Sequence, residues 1–126
     1  MSRRRRGIAV YARQLGVSER DAEALFTQRF GARLAEEAFN AAGGSAWEEA
    51  PLTLRERSLV VLATLVALGG VEDRLRTHVR FAVAHGATGD ELEALVTLVA
   101  VYAGFARASV AIEIVRDELA HLERPG

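Results

Sequence analysis

Ten consecutive residues, Leu59 to Leu68 (LVVLATLVAL), are apolar apart from one threonine. A helix drawn over them has no polar face and must be covered on every side. The run is well short of the ~20 residues needed to cross a bilayer, so protein rather than lipid has to supply the cover. A chain of 126 residues is long enough for one domain with a real core, but a domain of that size only partly encloses a central helix. Contact with other subunits would supply the rest, and the expectation is a homo-oligomer.

The remaining signals are helical as well. Gly7 to Leu15 reads as a short helix closed by Gly16. Ser18 with Asp21 resembles a capping box, opening a segment to about Phe39–Ala42 that Gly31 breaks or bends and Gly43-Gly44-Ser45 ends. Trp47 to Pro51 is a connector. Thr53 with Glu56 is a second capping box, for a helix that stops at Gly69-Gly70. A helix from about Val71 to His85 ends at Gly86. Thr88 with Glu91 is a third box, opening a helix to about Ala103, and beyond Gly104 a last helix runs to about Leu122. Apolar residues recur every three to four positions and nowhere alternate. The fold class is therefore all-α, a compact bundle of about six helices forming one domain over residues 1–126, with Arg3–Arg6 a frayed, solvated basic tail.

Composition narrows function by exclusion. The chain contains no cysteine and no lysine, so thiol nucleophiles, disulfides, thiolate metal sites and Schiff-base lysines are all ruled out. Histidine, arginine, serine, tyrosine and carboxylates are left to do any chemistry. A formal net charge of −1 gives no global field to attract nucleic acid or an anionic membrane. No signal-peptide core follows the arginine run. The expectations are no nucleic-acid partner, no membrane and a cytoplasmic location.

The most informative stretch is GGVEDRLRTHVRFAVAHGATGDELEALVTLVAVYAGF, residues 69–105. On a helical wheel Val71, Leu75 and Ala82 form an apolar stripe, with His78 about 20–60° from each. His85 falls about 20° from His78 and Arg74 about 40°, whereas Arg80 is about 160° round. Two histidines and an arginine thus edge a core-facing helix, which places a titratable base beside a fixed positive charge and suits a small anionic substrate. The bland account of His78 is a hydrogen-bonded boundary histidine. A metal at His78 and His85 is not expected, because seven residues of helix rise set them about 10 Å apart and no thiolate is present. Ser58 and Tyr102 each have two accounts. The Ser58 hydroxyl either bonds back to the carbonyl four residues earlier or points into a pocket, and Tyr102 either packs as an aromatic or offers its hydroxyl as a donor. No nucleophile elbow, P-loop or dinucleotide fingerprint occurs.

LTLRERSLVVLATLVALGG, LRTHVRFAVAHGAT and ELEALVTLVAVYAGFARASVA, spanning Thr53 to about Leu119, together resemble the carboxymuconolactone decarboxylase family, whose all-helical fold is shared with AhpD-type alkylhydroperoxidases. In the peroxidase branch of that family a CxxC pair precedes the histidine and a glutamate stands in the preceding helix. The matching positions here are Val71, Arg74 and Ser58, so dithiol peroxidase chemistry is impossible and the cysteine-free decarboxylase branch is the better likeness. The chain departs from that branch at Ala84-His85-Gly86, where Asn-Asn-Gly is usual, at Phe105-Ala106-Arg107-Ala108, where Val-Pro-Ala-Ala is usual, and at Gly43, where the family has a tryptophan.

The resemblance implies decarboxylation of a small carboxylated lactone such as 4-carboxymuconolactone, in a homo-oligomer such as a trimer or hexamer. Such a substrate is its own electron sink, so no cofactor and no metal are expected. His78 would be the catalytic acid/base, Arg74 a carboxylate anchor, Ser58 and Tyr102 donors near the oxyanion, and His85 part of the pocket wall. The alternatives are an isomerase or cyclase using the same acid/base chemistry, and a helical oligomer that binds a ligand without catalysis. A nucleic-acid binder using the N-terminal arginines ranks last.

Overall fold

The computed structural model describes residues 1–47 and 51–123, all in helices, turns or short connections, with no strand among them. Its order is α1 (Arg3–Leu15), α2 (Glu19–Phe30), α3 (Ala32–Glu37), a π-helical segment (Ala38–Ala46), α4 (Leu54–Leu68), α5 (Glu72–Ala84), α6 (Gly89–Ala103) and α7 (Phe105–Glu123). The chain forms two compact units, Met1–Leu52 and Thr53–Gly126. Part of the expected connector, residues 48–50, lies outside the described residues.

In the first unit Ile8, Ala12, Ala22, Ala35 and Phe39 form the core, with Tyr11 and Phe26 packed on it. Two sequence expectations are corrected here. Arg3–Arg6 is not a frayed tail but the first turn of α1. Ser2 caps it by accepting from the Arg5 N–H at 3.1 Å, and Arg4 reaches Glu23 at 2.7 Å and Glu36 at 2.7 Å. Nor does Gly43-Gly44 end a helix, since helical turns continue to Ala46. These glycines serve a close approach instead. A Cβ on Gly7 would strike the Phe39 carbonyl, and one on Gly44 would meet Arg3. Among the described residues seven α-helices stand where about six were expected. The break expected at Gly31 is real: it separates α2 from α3 at φ +81°, a conformation that an L side chain resists. Ser18 caps α2 by accepting from Asp21 N–H at 3.0 Å. The reciprocal bond of a full box is absent, Asp being one methylene shorter than Glu.

The second unit holds every candidate site residue. Both of its expected capping boxes form completely. Thr53 and Glu56 open α4, and Thr88 and Glu91 open α6. Leu62, Val66, Leu75, Val79, Leu92, Val96 and Val115 dominate its core. α4 packs against α5, α6 and α7, and among the described residues its buried positions are Arg57, Ser58, Leu62 and Val66. On the outer side Val60 and Leu68 remain 57% and 59% exposed, so the all-round burial expected of Leu59–Leu68 is not met within one chain. α5 is tied to α7 by Arg76 and Arg80, which converge on the buried Glu118 at 3.4 and 3.2 Å. Arg76 also pairs with Asp117 at 2.7 Å.

Candidate functional site

α5 carries His78, and His85 follows it as the C-terminal cap. His78 sits in the middle of the helix, between the buried Leu75, Val79 and Ala82. Its ring stands edge-on to Phe81, with centroids 5.3 Å apart, and its Nδ1 is buried. Burial first, and the charge of Arg74 second, push the imidazole down to about 4. The ring is therefore neutral at neutral pH and carries a lone pair. Arg74, one turn earlier on α5, is exposed and acts electrostatically on that ring, so these two residues do share a neighbourhood. Arg80 does not join them, being held by Glu118 on α7, as the wheel predicts.

His85 caps the C-terminus of α5, its backbone N–H bonded to the Phe81 carbonyl at 2.9 Å. Its ring Nδ1 lies 2.7 Å from Ser58 Oγ. Ser58 has no exposed surface, being one of the buried positions of α4. Thr27, Thr64, Thr77 and Thr97 bond back to carbonyls four residues earlier. The Ser58 hydroxyl instead crosses to another helix. Burial lowers the His85 imidazole as well.

Around this pair the start of α4, the end of α5 and the start of α6 meet. Arg55 on α4 forms an ion pair with Glu91, the capping residue of α6, and its Cδ would lie 3.9 Å from a Cβ on Gly86. Arg57, beside Ser58, is buried. Sequence reading missed these two arginines. The available signal was a cation directly preceding the one hydroxyl in an otherwise apolar stripe.

The structure thus pairs Arg74 with His78 and Ser58 with His85. It does not bring in Tyr102, which is 86% exposed near the end of α6 in the single chain. Two of the cavities among the described residues lie elsewhere in the second unit. One, of about 470 Å³, lies among Leu65, Val71, Leu75, Arg107, Val110 and Ile114. The other, of about 390 Å³, lies among Val96, Ala100, Phe105 and Ile112. Neither is lined by the histidines. Among the described residues no group of three or more His, Asp or Glu could hold a metal ion, and no helix is long and apolar enough to cross a membrane.

Residues 32–117 match the carboxymuconolactone decarboxylase family. The chain belongs to that family. Among characterised proteins, the 4-carboxymuconolactone decarboxylase of Acinetobacter baylyi is 38% identical over 76 residues, which make up 60% of this chain and 56% of that protein. The chain thus spans a little over half the length of this relative. As a carboxymuconolactone decarboxylase family member without cysteine, it has only nitrogen and oxygen groups at its histidine-bearing helix.

Proposed function

We propose that this chain is a cofactor-free carboxy-lyase acting on a small carboxylated lactone of the 4-carboxymuconolactone type. The observation that carries the reading is a neutral, largely buried His78 one helical turn from Arg74, in a member of this family. In such a substrate the bond to the departing carboxylate breaks, and its electron pair passes through the ring to the lactone carbonyl oxygen. CO₂ leaves, and a proton is then added to ring carbon. The protein has to hold the carboxylates, stabilise the oxyanion and manage one proton.

Arg74 anchors a carboxylate, and His78 handles the proton. In the free chain burial and Arg74 both disfavour the imidazolium. A dicarboxylate bound between them reverses the second effect: it pairs with Arg74 and sets negative charge beside the ring, which raises its affinity for a proton. His78 thereby takes up a proton as substrate arrives and returns it to carbon after CO₂ departs. The outward side of α4, with Val60 and Leu68 exposed, forms the contact of a homo-oligomer in this reading. Isomerisation or cyclisation by the same machinery remains the alternative chemistry.

The test is incubation with 4-carboxymuconolactone and related carboxylated lactones, following CO₂ and ring absorbance beside His78→Ala. Wild-type turnover with a loss of about 10²–10⁴ in the variant is expected. Full turnover by His78→Ala would overturn the assignment.

A further inference from the structure

Within the single chain, the two oxyanion donors suggested by the sequence are otherwise placed. Tyr102 is in solvent, and the Ser58 hydroxyl is engaged with His85. The direction of that hydrogen bond follows from what is buried. Among the described residues Ser58 Oγ has one hydrogen-bond partner, His85 Nδ1 at 2.7 Å, and the residue has no exposed surface. If the ring donated from Nδ1, the hydroxyl proton would be left buried with no acceptor, which costs about 1–3 kcal/mol. If the hydroxyl donates, both groups are satisfied. The Nδ1 lone pair is then used, and the ring proton must reside on Nε2.

We propose that Ser58 fixes His85 in the Nε2–H form, and that this N–H is the hydrogen-bond donor to the anionic oxygen that develops on the lactone carbonyl. Ser58 is the positioning residue and His85 the catalytic one. The inference rests on the functional reading above and reassigns the oxyanion role within it. No proton has to leave His85, because a neutral imidazole N–H stabilises growing negative charge by hydrogen bonding alone. Burial supports this by holding the ring in its neutral form. His85 caps α5 seven residues beyond His78, about 10 Å of helix rise. In the proposal a small lactone lies along this end of α5, with the carboxylate anchor and proton carrier at one end and the oxyanion donor at the other. His85 is also where the chain departs from the usual asparagine of the branch it resembles, and an amide N–H could make a similar bond.

Two measurements on the full chain test this separately. The first is ¹⁵N NMR of histidine-labelled protein at pH 7.5, assigned with His85→Gln, which reports the tautomer without any need for turnover. A protonated Nε2 with an unprotonated Nδ1 is expected in the wild type, changing to a mixture of tautomers in Ser58→Ala. A protonated Nδ1 in the wild type, or an unchanged ring in Ser58→Ala, would overturn the positioning role. The second is turnover of 4-carboxymuconolactone. His85→Leu should lose about 10²–10³ in kcat with KM changed far less. His85→Gln, whose amide N–H can stand near the Nε2 position, should recover part of that loss, and Ser58→Ala should fall between His85→Leu and wild type. Wild-type kcat in His85→Leu, or equal losses in Leu and Gln variants that retain wild-type circular dichroism, would overturn the donor role. A wild-type chain inactive on every lactone would remove the functional reading and the donor role together, while the tautomer result would still decide the pairing.

Discussion

His78 should make the fold acid-sensitive by a calculable amount. Its imidazole is displaced from the ordinary 6.5 to about 4, chiefly by burial. The unfolded chain therefore takes up a proton at this residue well before the folded chain does. Between about pH 6.5 and pH 4 the unfolded state binds more protons, so stability falls as pH is lowered through that window and is fully retained above it. The gap from 6.5 to about 4, at about 1.36 kcal/mol per pH unit, sets a limit of about 3 kcal/mol. Between about pH 7 and pH 4.5 the two titration curves release most of that, about 2 kcal/mol. The perturbation is His78→Leu, which cannot titrate and fills much of the same space. Urea unfolding of wild type and variant at both pH values gives four free energies. The difference of differences isolates this one ring, since the other groups titrate in both proteins. The wild type should lose about 2 kcal/mol more than the variant on acidification. Equal losses would mean that the ring is solvated and ordinary, and His78 could not then be the neutral, buried base on which the proton step depends.

Three further outcomes are expected. Glu118→Gln removes the charge on which Arg76 and Arg80 converge and should cost about 2 kcal/mol in urea unfolding, with α5 and α7 losing amide-exchange protection first. Thr88→Ala breaks the capping box of α6 and should cost about 1 kcal/mol. Glu91→Ala should cost more, because Glu91 also holds Arg55. If the outer side of α4 is a subunit contact, Leu68→Glu should shift sedimentation toward smaller species, whereas a monomeric wild type would remove the oligomer from the proposal.

Helix type and position in the second unit were legible because local chemistry specifies them. The reciprocal boxes Thr53–Glu56 and Thr88–Glu91 form as read, and glycines follow α4, α5 and α6 within two residues. The first unit was read less well, and long-range contact is the reason. Gly43 and Gly44 look like a helix stop in isolation, but the close passage of α1 makes them part of an interface. Arg4 looks like a solvated tail until Glu23 and Glu36 are folded beside it. The site shows the same division. Arg74 and His78 share α5 and His85 caps it, so a wheel could group them. The Ser58–His85 pair joins residues 27 positions apart on different helices, and nothing in the spacing revealed it. Tyr102 stands exposed on the single chain, and helical period fixes a face without saying whether anything covers that face.

Burial also divides labour between the two histidines. His78, mid-helix among Leu75, Val79 and Ala82, has a depressed affinity for protons, and in the proposed mechanism it acquires one when anionic substrate is beside it. His85, at the helix end, meets a buried hydroxyl, which in our proposal fixes its tautomer. A ring that must exchange a proton and a ring that must keep one are better built as separate residues, because the first requires an environment that substrate alters and the second one that substrate leaves alone. Losing either function should then leave distinct kinetic traces. A change at His78 should alter the pH profile of kcat, whereas a change at His85 should lower kcat and leave the shape of that profile intact. If His85→Leu abolished the acidic limb while His78→Ala preserved it, the two roles would have to be exchanged.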